Sequence, residues 1–505
     1  MRTRREFLVA TARLGLGAAG ISVIFSRSPD AIAASTSRTV LLEAREVKWE
    51  LAPGKTVKAM AYNGEVPGPT IRCREDERLR VVLKNSLSEP TTIHWHGLDV
   101  PNAMDGVPGV TQKPVQPGET FTYEFAARPA GTRWYHTHFD EHRQMDLGLV
   151  APLIIEPARP EPLAYDRDVT LVLDDWATGT GRPVPSTDAG TAGGRGRAGG
   201  MMSGMMGDGG MRGMMGGRGM GGMMGGRGMG GMMHDAEGHA YDVMTINGKA
   251  YPATEPLRLK KGERVRLRII NASAEHTHVV RLAGHRLAVT HTDGNALDAS
   301  VEVDAVPIAP AERYDVMVTA NRPGAWFLHC TQPGHAEAGE RMPLLYDDHA
   351  RAAPPEPEPG IAGLTLWEYG KGRGRAILPD ATGNGQSVVL ALSSGMMGSD
   401  DWTINGKKYP DTEPIRCQKG DRVRITLRNN SMEAHPMHLH GQSFRVLSAN
   451  GARYAQPIVK DVVDVDAHMG SAVVELVAHN SGDWLFHCHK PMHMMGGMVT
   501  VVKVG

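Results

Sequence analysis

Four short motifs concentrate histidine in a spacing that suits metal ligation, two in the first third of the chain and two near its end. They read His94-Trp95-His96, His136-Thr137-His138, His435-Pro436-Met437-His438-Leu439-His440 and His487-Cys488-His489. On a β-strand residues i and i+2 share a face, so each His-x-His pair directs two imidazoles to one site. One such pair alone also occurs in zinc sites or on ordinary surfaces. Four pairs in one chain predict a metal centre.

The last two motifs supply the ligands of an electron-transfer copper site. Two imidazoles, one thiolate and a weak axial thioether are typical of such a site. The chain provides this set, with the second histidine five residues and the methionine ten residues after the cysteine, in His435, Cys488, His493 and Met498. His487 and His489 flank Cys488 and point away from this site, so electrons leaving the thiolate have a covalent path into both imidazoles. The other eight histidines match the number of ligands that three coppers bridging an oxygen species require.

Together these motifs resemble those of the multicopper oxidases, a family that includes laccases and bacterial copper-resistance oxidases. The resemblance covers both ends of the chain and implies four coppers: a type 1 ion that oxidises a one-electron donor, and a trinuclear cluster that reduces O₂ to water. By this resemblance His94 and His438 hold the type 2 copper. The type 3 pair is implied to be held by His96, His136, His138, His440, His487 and His489. The cluster is then expected between the first and third domains, since each supplies four of its imidazoles.

One acidic residue near these motifs also matches a functional position of the family. Asp105, in Met104-Asp105-Gly106, corresponds to a residue that accepts or relays protons near the cluster. The alternative is a turn residue before glycine. Cys488, His487, His489 and Asp105 are therefore the candidate catalytic residues.

Three copies of one β unit must position the motifs. Each copy has an Asn-Gly turn, a stretch in which polar and apolar residues alternate and a second turn around asparagine; the alternating stretches begin at Arg78, Arg264 and Arg422. Alternation with period two is typical of a strand with one buried face. The chain is therefore predicted to be all-β, with three β-sandwiches in series at residues 34–157, 158–350 and 351–505. By the family resemblance these are cupredoxin-like Greek-key domains.

The mononuclear ligands can be compared between copies. His435 aligns with Thr91 of copy one and His278 of copy two, and Cys488 aligns with Thr137 and Cys330. Copy one has therefore lost the mononuclear ligands and kept the cluster ligands.

Copy two shows the opposite pattern, because Arg281 and Ala283 stand at its cluster positions while His335 follows Cys330 by five residues. His278, Cys330 and His335 are thus a candidate second type 1 site, which would hold a fifth copper. The alternative is a vestigial site with a buried thiol. A candidate axial ligand, Met342, lies twelve residues after the cysteine rather than ten.

A Met- and Gly-rich insert from about residue 178 to 240 interrupts the second copy. It contains almost no β-branched or aromatic residues and is predicted to be a mobile loop. Thioethers favour Cu(I), so its methionine pairs are candidates for Cu(I) capture: Met201, Met202, Met205, Met206, Met214, Met215, Met223, Met224, Met232 and Met233. The alternative is a low-complexity linker whose methionines scavenge oxidants.

The N-terminus resembles a Tat export signal. Arg4 and Arg5 precede Phe7-Leu8, and Ala31-Ile32-Ala33 suits signal peptidase. Residues 1–33 are therefore predicted to be a cleaved signal peptide, with the Tat machinery as a partner and the periplasm as destination. A membrane anchor is the alternative, but Arg13 and several glycines interrupt the apolar run, so no stable membrane insertion is expected.

Composition limits the remaining classes of function. Lys+Arg 55 against Asp+Glu 56 gives no reason to expect a nucleic-acid partner. The four cysteines are too few for a disulfide framework, and Cys73 and Cys417 are interpreted as reduced core residues of separate domains.

The insert and the methionines near Cys488 narrow the resemblance to copper-tolerance oxidases, for which Cu(I) is the expected donor. Oxidation of phenols or aromatic amines, as in laccases, is the rival within the family. A copper-sequestering protein is the rival from another class. Nitrite reduction is disfavoured, because it needs no cluster of eight imidazoles.

Overall fold

The computed structural model describes residues 37–185, 240–374, 378–394 and 401–505. Within them nearly all regular structure is β-strand, and the two α-helices are single short turns. The strands form six sheets, which pair into three sandwiches whose strands come from residues 38–156, 167–346 and 385–504. The all-β prediction of three cupredoxin-like Greek-key domains in series is confirmed.

The first domain packs a sheet of order β2-β1-β4-β6 against one of order β3-β8-β7-β5. Its strands are β1 Arg38–Ala52, β2 Lys55–Tyr62, β3 Ile71–Arg74, β4 Arg78–Asn85, β5 His94–His96, β6 Thr120–Ala126, β7 Gly131–His136 and β8 Val150–Glu156, and α1 Glu141–Gln144 lies between the last two. In β4 the apolar residues Leu79, Val81 and Leu83 are buried and the residues between them are not. The predicted alternation is therefore observed.

The second domain packs a sheet of order β10-β9-β12-β17-β14-β15 against one of order β11-β19-β18-β13-β16. Its strands are β9 Arg167–Trp176, β10 Val243–Ile246, β11 Leu257–Leu259, β12 Arg264–Asn271, β13 His278–Leu282, β14 Leu287–Thr292, β15 Asn295–Val303, β16 Ala305–Ile308, β17 Arg313–Thr319, β18 Ala325–Cys330 and β19 Arg341–Tyr346.

Strand β12 departs from the expected pattern, because its polar residues are buried as well. Arg266 and Arg268 form ion pairs with Asp315, whose carboxylate also accepts a hydrogen bond from Thr132 of the first domain. The polar face of this strand is therefore an interface with the first domain and not a solvated surface.

The third domain repeats the second, with sheets of order β21-β20-β23-β28-β25-β26 and β22-β30-β29-β24-β27. Its elements are β20 Gly385–Ser394, β21 Trp402–Ile404, β22 Ile415–Cys417, β23 Arg422–Asn429, β24 His435–Leu439, β25 Phe444–Ala449, β26 Ala452–Lys460, β27 Val462–Val465, β28 Ser471–Val477, β29 Gly482–Cys488, α2 Pro491–Met495 and β30 Val499–Val504.

A buried ionic network joins the three domains. The guanidinium of Arg313 donates two hydrogen bonds of 2.6 Å to the carboxylate of Asp461, and Arg133 lies 3.4 Å from the same carboxylate. Lys460 lies 3.0 Å from Asp293. Since these side chains are 0% exposed, the charges depend on one another for compensation.

Cys73 and Cys417 lie at equivalent positions, each the third residue of its strand, β3 and β22, and both are buried thiols in separate sandwiches. Burial raises the pKa of Cys73 to about 12 and also raises that of Cys417. Among the described residues, no helix has both the length and the apolar character that a membrane span requires.

Candidate metal centre

The four candidate type 1 ligands come from two neighbouring strands and the turn that follows them. His435 opens β24, Cys488 ends β29 and His493 lies in α2. The Nδ1 atoms of the two histidines are 3.0 Å apart, and the Cys488 sulfur lies 3.6 and 3.5 Å from them. Met498 is buried at the same place, and its carbonyl accepts the Cys488 backbone N–H at 3.1 Å. Three donor atoms thus converge in a buried pocket.

Neighbouring polar groups hold both imidazoles in one orientation. Ser431 Oγ lies 2.7 Å from His435 Nε2, and Glu433 accepts a hydrogen bond of 3.1 Å from His493 Nε2. These partners occupy the Nε2 atoms and leave the Nδ1 lone pairs for a metal. Trp402 stacks on the His493 ring at 3.7 Å and restricts its rotation.

The eight other histidines meet where the first and third domains face each other, and they fall into three buried groups. His94 and His438 approach through their Nε2 atoms at 3.4 Å. A second group is His96, His136 and His489, and a third is His138, His440 and His487. Strand pairing sets this arrangement, because His94 is paired with His136 and His438 with His487. The structure thus brings all eight predicted cluster histidines together, and His96 lies within ligand distance of both the first pair and the second group. Their division into type 2 and type 3 ligands stays a prediction.

Backbone and carboxylate acceptors fix the outer nitrogens of the cluster histidines. Asp105 accepts a hydrogen bond of 2.9 Å from His440 Nδ1 through its carboxylate, and one of 2.9 Å from His94 Nδ1 through its carbonyl. The Asp461 carboxylate lies 3.0 Å from His96 Nε2, and its carbonyl accepts from His438 Nδ1 at 2.9 Å. Each acidic residue thus links the ligands of different groups.

The chemistry of this site fits copper. Ring nitrogens of four cluster histidines have no hydrogen-bond partner among the described residues: His96 Nδ1, His136 Nε2, His138 Nε2 and both nitrogens of His489. Burial and the neighbouring imidazoles lower the pKa of His487 to about 4 and that of His489 to about 3, so these two rings are neutral and able to ligate. At His138, by contrast, burial is outweighed by the Glu141 carboxylate, which raises the pKa of that imidazole. Buried nitrogens left without partners are costly unless a ligand occupies them.

Replacing Asp105 by asparagine is expected to lower oxidase kcat by about 10–100-fold, the usual effect of losing a hydrogen-bond partner of a metal ligand. The amide keeps the size of the side chain but presents a weaker acceptor to His440. Steady-state O₂ consumption at matched copper content measures the effect. Asp99 lies on the same loop but contacts His479, so Asp99→Asn serves as the control. Equal rates for the Asp105 variant and the native chain would contradict a positioning role.

In the second domain the structure brings the predicted His278, Cys330 and His335 together and adds Glu340. Glu340 Oε2 lies 2.7 Å from His278 Nδ1 and 3.0 Å from His335 Nδ1. Burial alone raises the pKa of Glu340, but the two imidazoles lower it to about 2. Met342 lies further along β19 in the hydrophobic core.

In the first domain the corresponding position is filled by a polar network. Thr91 and Thr137, the residues aligned with His435 and Cys488, have hydroxyls 3.3 Å apart, and each donates a hydrogen bond of 2.8 Å to Gln144. The metal ligands of this pocket have been replaced by side chains that satisfy one another.

Several residues of the site were not found from the sequence. Glu141, a buried carboxylate 2.9 Å from His138 Nδ1, follows its motif by only three residues and could have been noticed as an acid near a ligand. Asp461 and Glu433 gave weaker signals, because their contacts depend on how distant segments meet. Glu340 stands ten residues after Cys330, the spacing of Met498 from Cys488, and could have been found from that spacing. The predicted signal peptide of residues 1–33 and the ten methionines from Met201 to Met233 lie outside the described residues.

Comparison with known proteins agrees with this geometry. Residues 43–160, 226–346 and 382–505 each match the multicopper oxidase family. The multicopper oxidase MmcO of Mycobacterium tuberculosis is 33% identical over 96% of this chain and 90% of its own, and copper resistance protein A of Escherichia coli is 27% identical over 99% of both. The structure of a multi-copper oxidase from Pseudomonas thermotolerans, 26% identical, superposes with a TM-score of 0.68 over 94% of this chain and 100% of that chain. The chain therefore belongs to the multicopper oxidases, copper-dependent enzymes that use O₂ as electron acceptor.

Proposed function

We propose that this oxidase takes its electrons from Cu(I), and that its role is copper tolerance. The observation that carries the proposal is a surface of exposed methionines and a carboxylate beside His493. The copper ions held at the sites described above supply one-electron oxidation of the donor and four-electron reduction of O₂ to water. His435, Cys488, His493 and Met498 are proposed to hold the type 1 ion, His94 and His438 the type 2 ion, and His96, His136, His138, His440, His487 and His489 the type 3 pair.

The surface beside His493 is formed by segments that meet next to Glu433. Met432 and Met469 are 68% and 77% exposed, and the backbone N–H of His468 donates to the carbonyl of Ser431 at 3.0 Å, which brings their segments together. Met495, in α2, is 55% exposed and lines a cavity beside His138. Large exposed apolar side chains usually have a function when they cluster, and thioethers are soft ligands that prefer Cu(I).

Glu433 connects this surface to the buried imidazole. Its side chain is 36% exposed and accepts a hydrogen bond from His493 Nε2. Lys490, itself buried, pairs with both Glu433 and Glu275. Burial opposes ionisation of Glu433, but His493 and Lys490 lower its pKa, so it remains a carboxylate. A negative charge next to thioethers attracts a cuprous ion to within one hydrogen bond of a type 1 ligand.

The covalent structure of β29 links the two centres. Cys488 faces the pocket with His435 and His493, while His487 and His489 face the cluster. His487 and His489 are each joined to Cys488 by one peptide bond. Because neighbouring residues of a strand point to opposite faces, the two sites lie on opposite sides of this segment.

A separate route serves O₂. A cavity of about 300 Å³ is bounded by His138, Val110, Leu485 and Met494. The cavity walls are mostly apolar and include His138, a histidine of the cluster. An apolar cavity of this kind suits the passage of O₂.

Replacing Met432 and Met469 together by leucine is expected to raise KM for Cu(I) by about tenfold or more, because leucine keeps the volume but removes the soft sulfur ligands. Oxidation of a phenol by the same variant is the internal control and is expected to stay within about twofold, since outer-sphere transfer needs no thioether. A chain lacking residues 186–239 separates Cu(I) capture by the insert from capture at this surface. If phenol and Cu(I) kinetics change in parallel, the laccase alternative is favoured.

The proposed location is the periplasm, reached by Tat export of the folded chain. The twin arginines Arg4 and Arg5 and the cleavage pattern at Ala31-Ile32-Ala33 support this. Mass spectrometry of the chain from a periplasmic extract is expected to show an N-terminus just after Ala33. Recovery of the intact N-terminus from the membrane fraction would instead support an anchor.

A further inference from the structure

The pocket of the second domain reproduces the type 1 pocket of the third domain strand for strand. Cys330 is paired with Val280, two residues after His278, and Cys488 is paired with Met437, two residues after His435. Ser273 Oγ lies 2.7 Å from His278 Nε2, as Ser431 Oγ lies 2.7 Å from His435 Nε2. The two pockets therefore share their frame, their orienting hydroxyl and three ligand types.

The fourth position differs, and backbone contacts identify what has replaced the methionine. The Glu340 N–H donates to His335 O at 3.0 Å and its carbonyl accepts from the Cys330 N–H at 3.3 Å; Met498 makes the same two contacts with His493 and Cys488, at 3.0 and 3.1 Å. Each follows its cysteine by ten residues, and each follows a glycine at φ +115° or +118°, a backbone conformation that favours glycine. Glutamate thus stands at the axial position.

The exchange changes the charge of the pocket. With the cysteine as thiolate, the third-domain ligands carry one negative charge, whereas thiolate and Glu340 carboxylate together carry two. Four donors of types N, N, S and O within 4.8 Å of one another suit tetrahedral binding of a divalent ion. Glu340 Oε1 is buried, and no nitrogen or oxygen donor reaches it within the part of the chain that the structure describes, so a bound cation would satisfy this oxygen.

We propose that His278, Cys330, His335 and Glu340 form a fifth metal site, which holds a divalent ion, Zn²⁺ or Cu²⁺, and does not serve electron entry. The thiolate and the carboxylate together neutralise a divalent ion. With a monovalent ion the buried pocket keeps a net charge of minus one, which is unfavourable away from solvent. A hard carboxylate also favours the divalent state over Cu(I), which prefers thioethers. The site is therefore a structural or storage centre and not a second type 1 copper.

The test uses the full chain carrying Cys488→Ser, which lacks the type 1 thiolate. Any thiolate signal then comes from another cysteine, so the result does not depend on whether the proposed oxidase function is correct. The chain is freed of metal and loaded with Co²⁺ alone as a probe for Zn²⁺, and in a second arm with Cu²⁺ alone. We expect a thiolate-to-metal charge-transfer band in the cobalt arm. Adding Cys330→Ser is expected to remove the band and about one metal ion per chain, whereas adding Cys417→Ser changes neither. Competition with Zn²⁺ and Cu²⁺ then distinguishes the two ions.

Glu340 variants keep the test decisive if Cys330→Ser fails to fold. Glu340→Gln is expected to weaken Co²⁺ binding by at least about tenfold, as loss of a ligand exceeds loss of a ligand's partner. In a copper-loaded chain with Cys488 intact, Glu340→Met restores the third-domain ligand set and is expected to raise the intense blue absorbance towards about twice its native value. Two results together would overturn the proposal: the cobalt-loaded Cys488→Ser chain shows no thiolate band, and its metal content is the same with and without Cys330. The four residues would then form a metal-free hydrogen-bonded cluster.

Discussion

Cys488→Ser is expected to abolish oxidation of every donor and to leave the chain with one copper fewer. The hydroxyl of serine is a poor replacement for a thiolate at a type 1 site, and the blue thiolate-to-copper absorbance should disappear with it. Losing a partner of a ligand typically costs about 10–100-fold, so losing this ligand is expected to cost more than about a hundredfold in kcat. O₂ consumption with Cu(I) and with a phenol, together with copper analysis, measures both effects.

Cys417→Ser is the matched control, because Cys417 is also a buried thiol of the third domain, and its sulfur donates a hydrogen bond of 3.7 Å to the Lys503 carbonyl rather than facing a histidine. It should leave rate and colour unchanged. The same pair of variants separates the enzyme from a sequestering protein. Loss of copper tolerance in cells carrying Cys488→Ser supports the oxidase, while unchanged tolerance would show that binding alone protects the cell.

Arg313→Ala is expected to destabilise the chain by about 3–5 kcal/mol, because it leaves the buried Asp461 carboxylate without its bidentate partner. The remaining cation, Arg133, is 3.4 Å away. Since Asp461 also contacts His96 and His438, the same change should lower copper occupancy of the cluster. Urea denaturation of the metal-free and copper-loaded chains measures stability, and copper analysis measures occupancy.

Arg428→Ala, on an exposed position of β23, controls for loss of an arginine and is expected to change stability by less than about 0.5 kcal/mol. Arg313→Lys keeps the charge but loses the paired hydrogen bonds, so an intermediate loss is expected. An Arg313→Ala chain as stable as the Arg428→Ala chain would show that the buried network is not needed to join the domains.

The fold and most ligands could be predicted because their signals are local. Alternation in β4 and β23 reports a half-buried strand, and the two histidines of each His-x-His pair are only two residues apart. Aligning the copies also placed Thr91 and Thr137 opposite His435 and Cys488, where the structure finds them touching each other at 3.3 Å.

What could not be predicted depends on long-range packing. Nothing near Asp461 in the sequence indicates that Arg313 meets it, since the pair joins different domains. Glu340 was not predicted, because a methionine was expected as the axial ligand. Met342 is a methionine, but it follows Cys330 by twelve residues rather than ten. The alternation in β12 predicts an exposed polar face, but Arg266 and Arg268 on that face are buried and ion-paired. A strand pattern alone cannot show which polar face another domain covers.

The two segments that flank the Met-rich insert are hydrogen-bonded to each other in the second domain, and this pairing has an evolutionary consequence. Val184 N–H donates to the Tyr241 carbonyl at 2.8 Å, and Asp242 N–H donates to the Trp176 carbonyl at 2.9 Å, so the chain leaves and rejoins the second domain at nearly one point. Doubling the length of a segment tethered in this way costs only about 0.6 kcal/mol in closure entropy. Repeat expansion or contraction between these anchors can therefore change the number of methionines that a lineage carries while the catalytic scaffold is inherited unchanged.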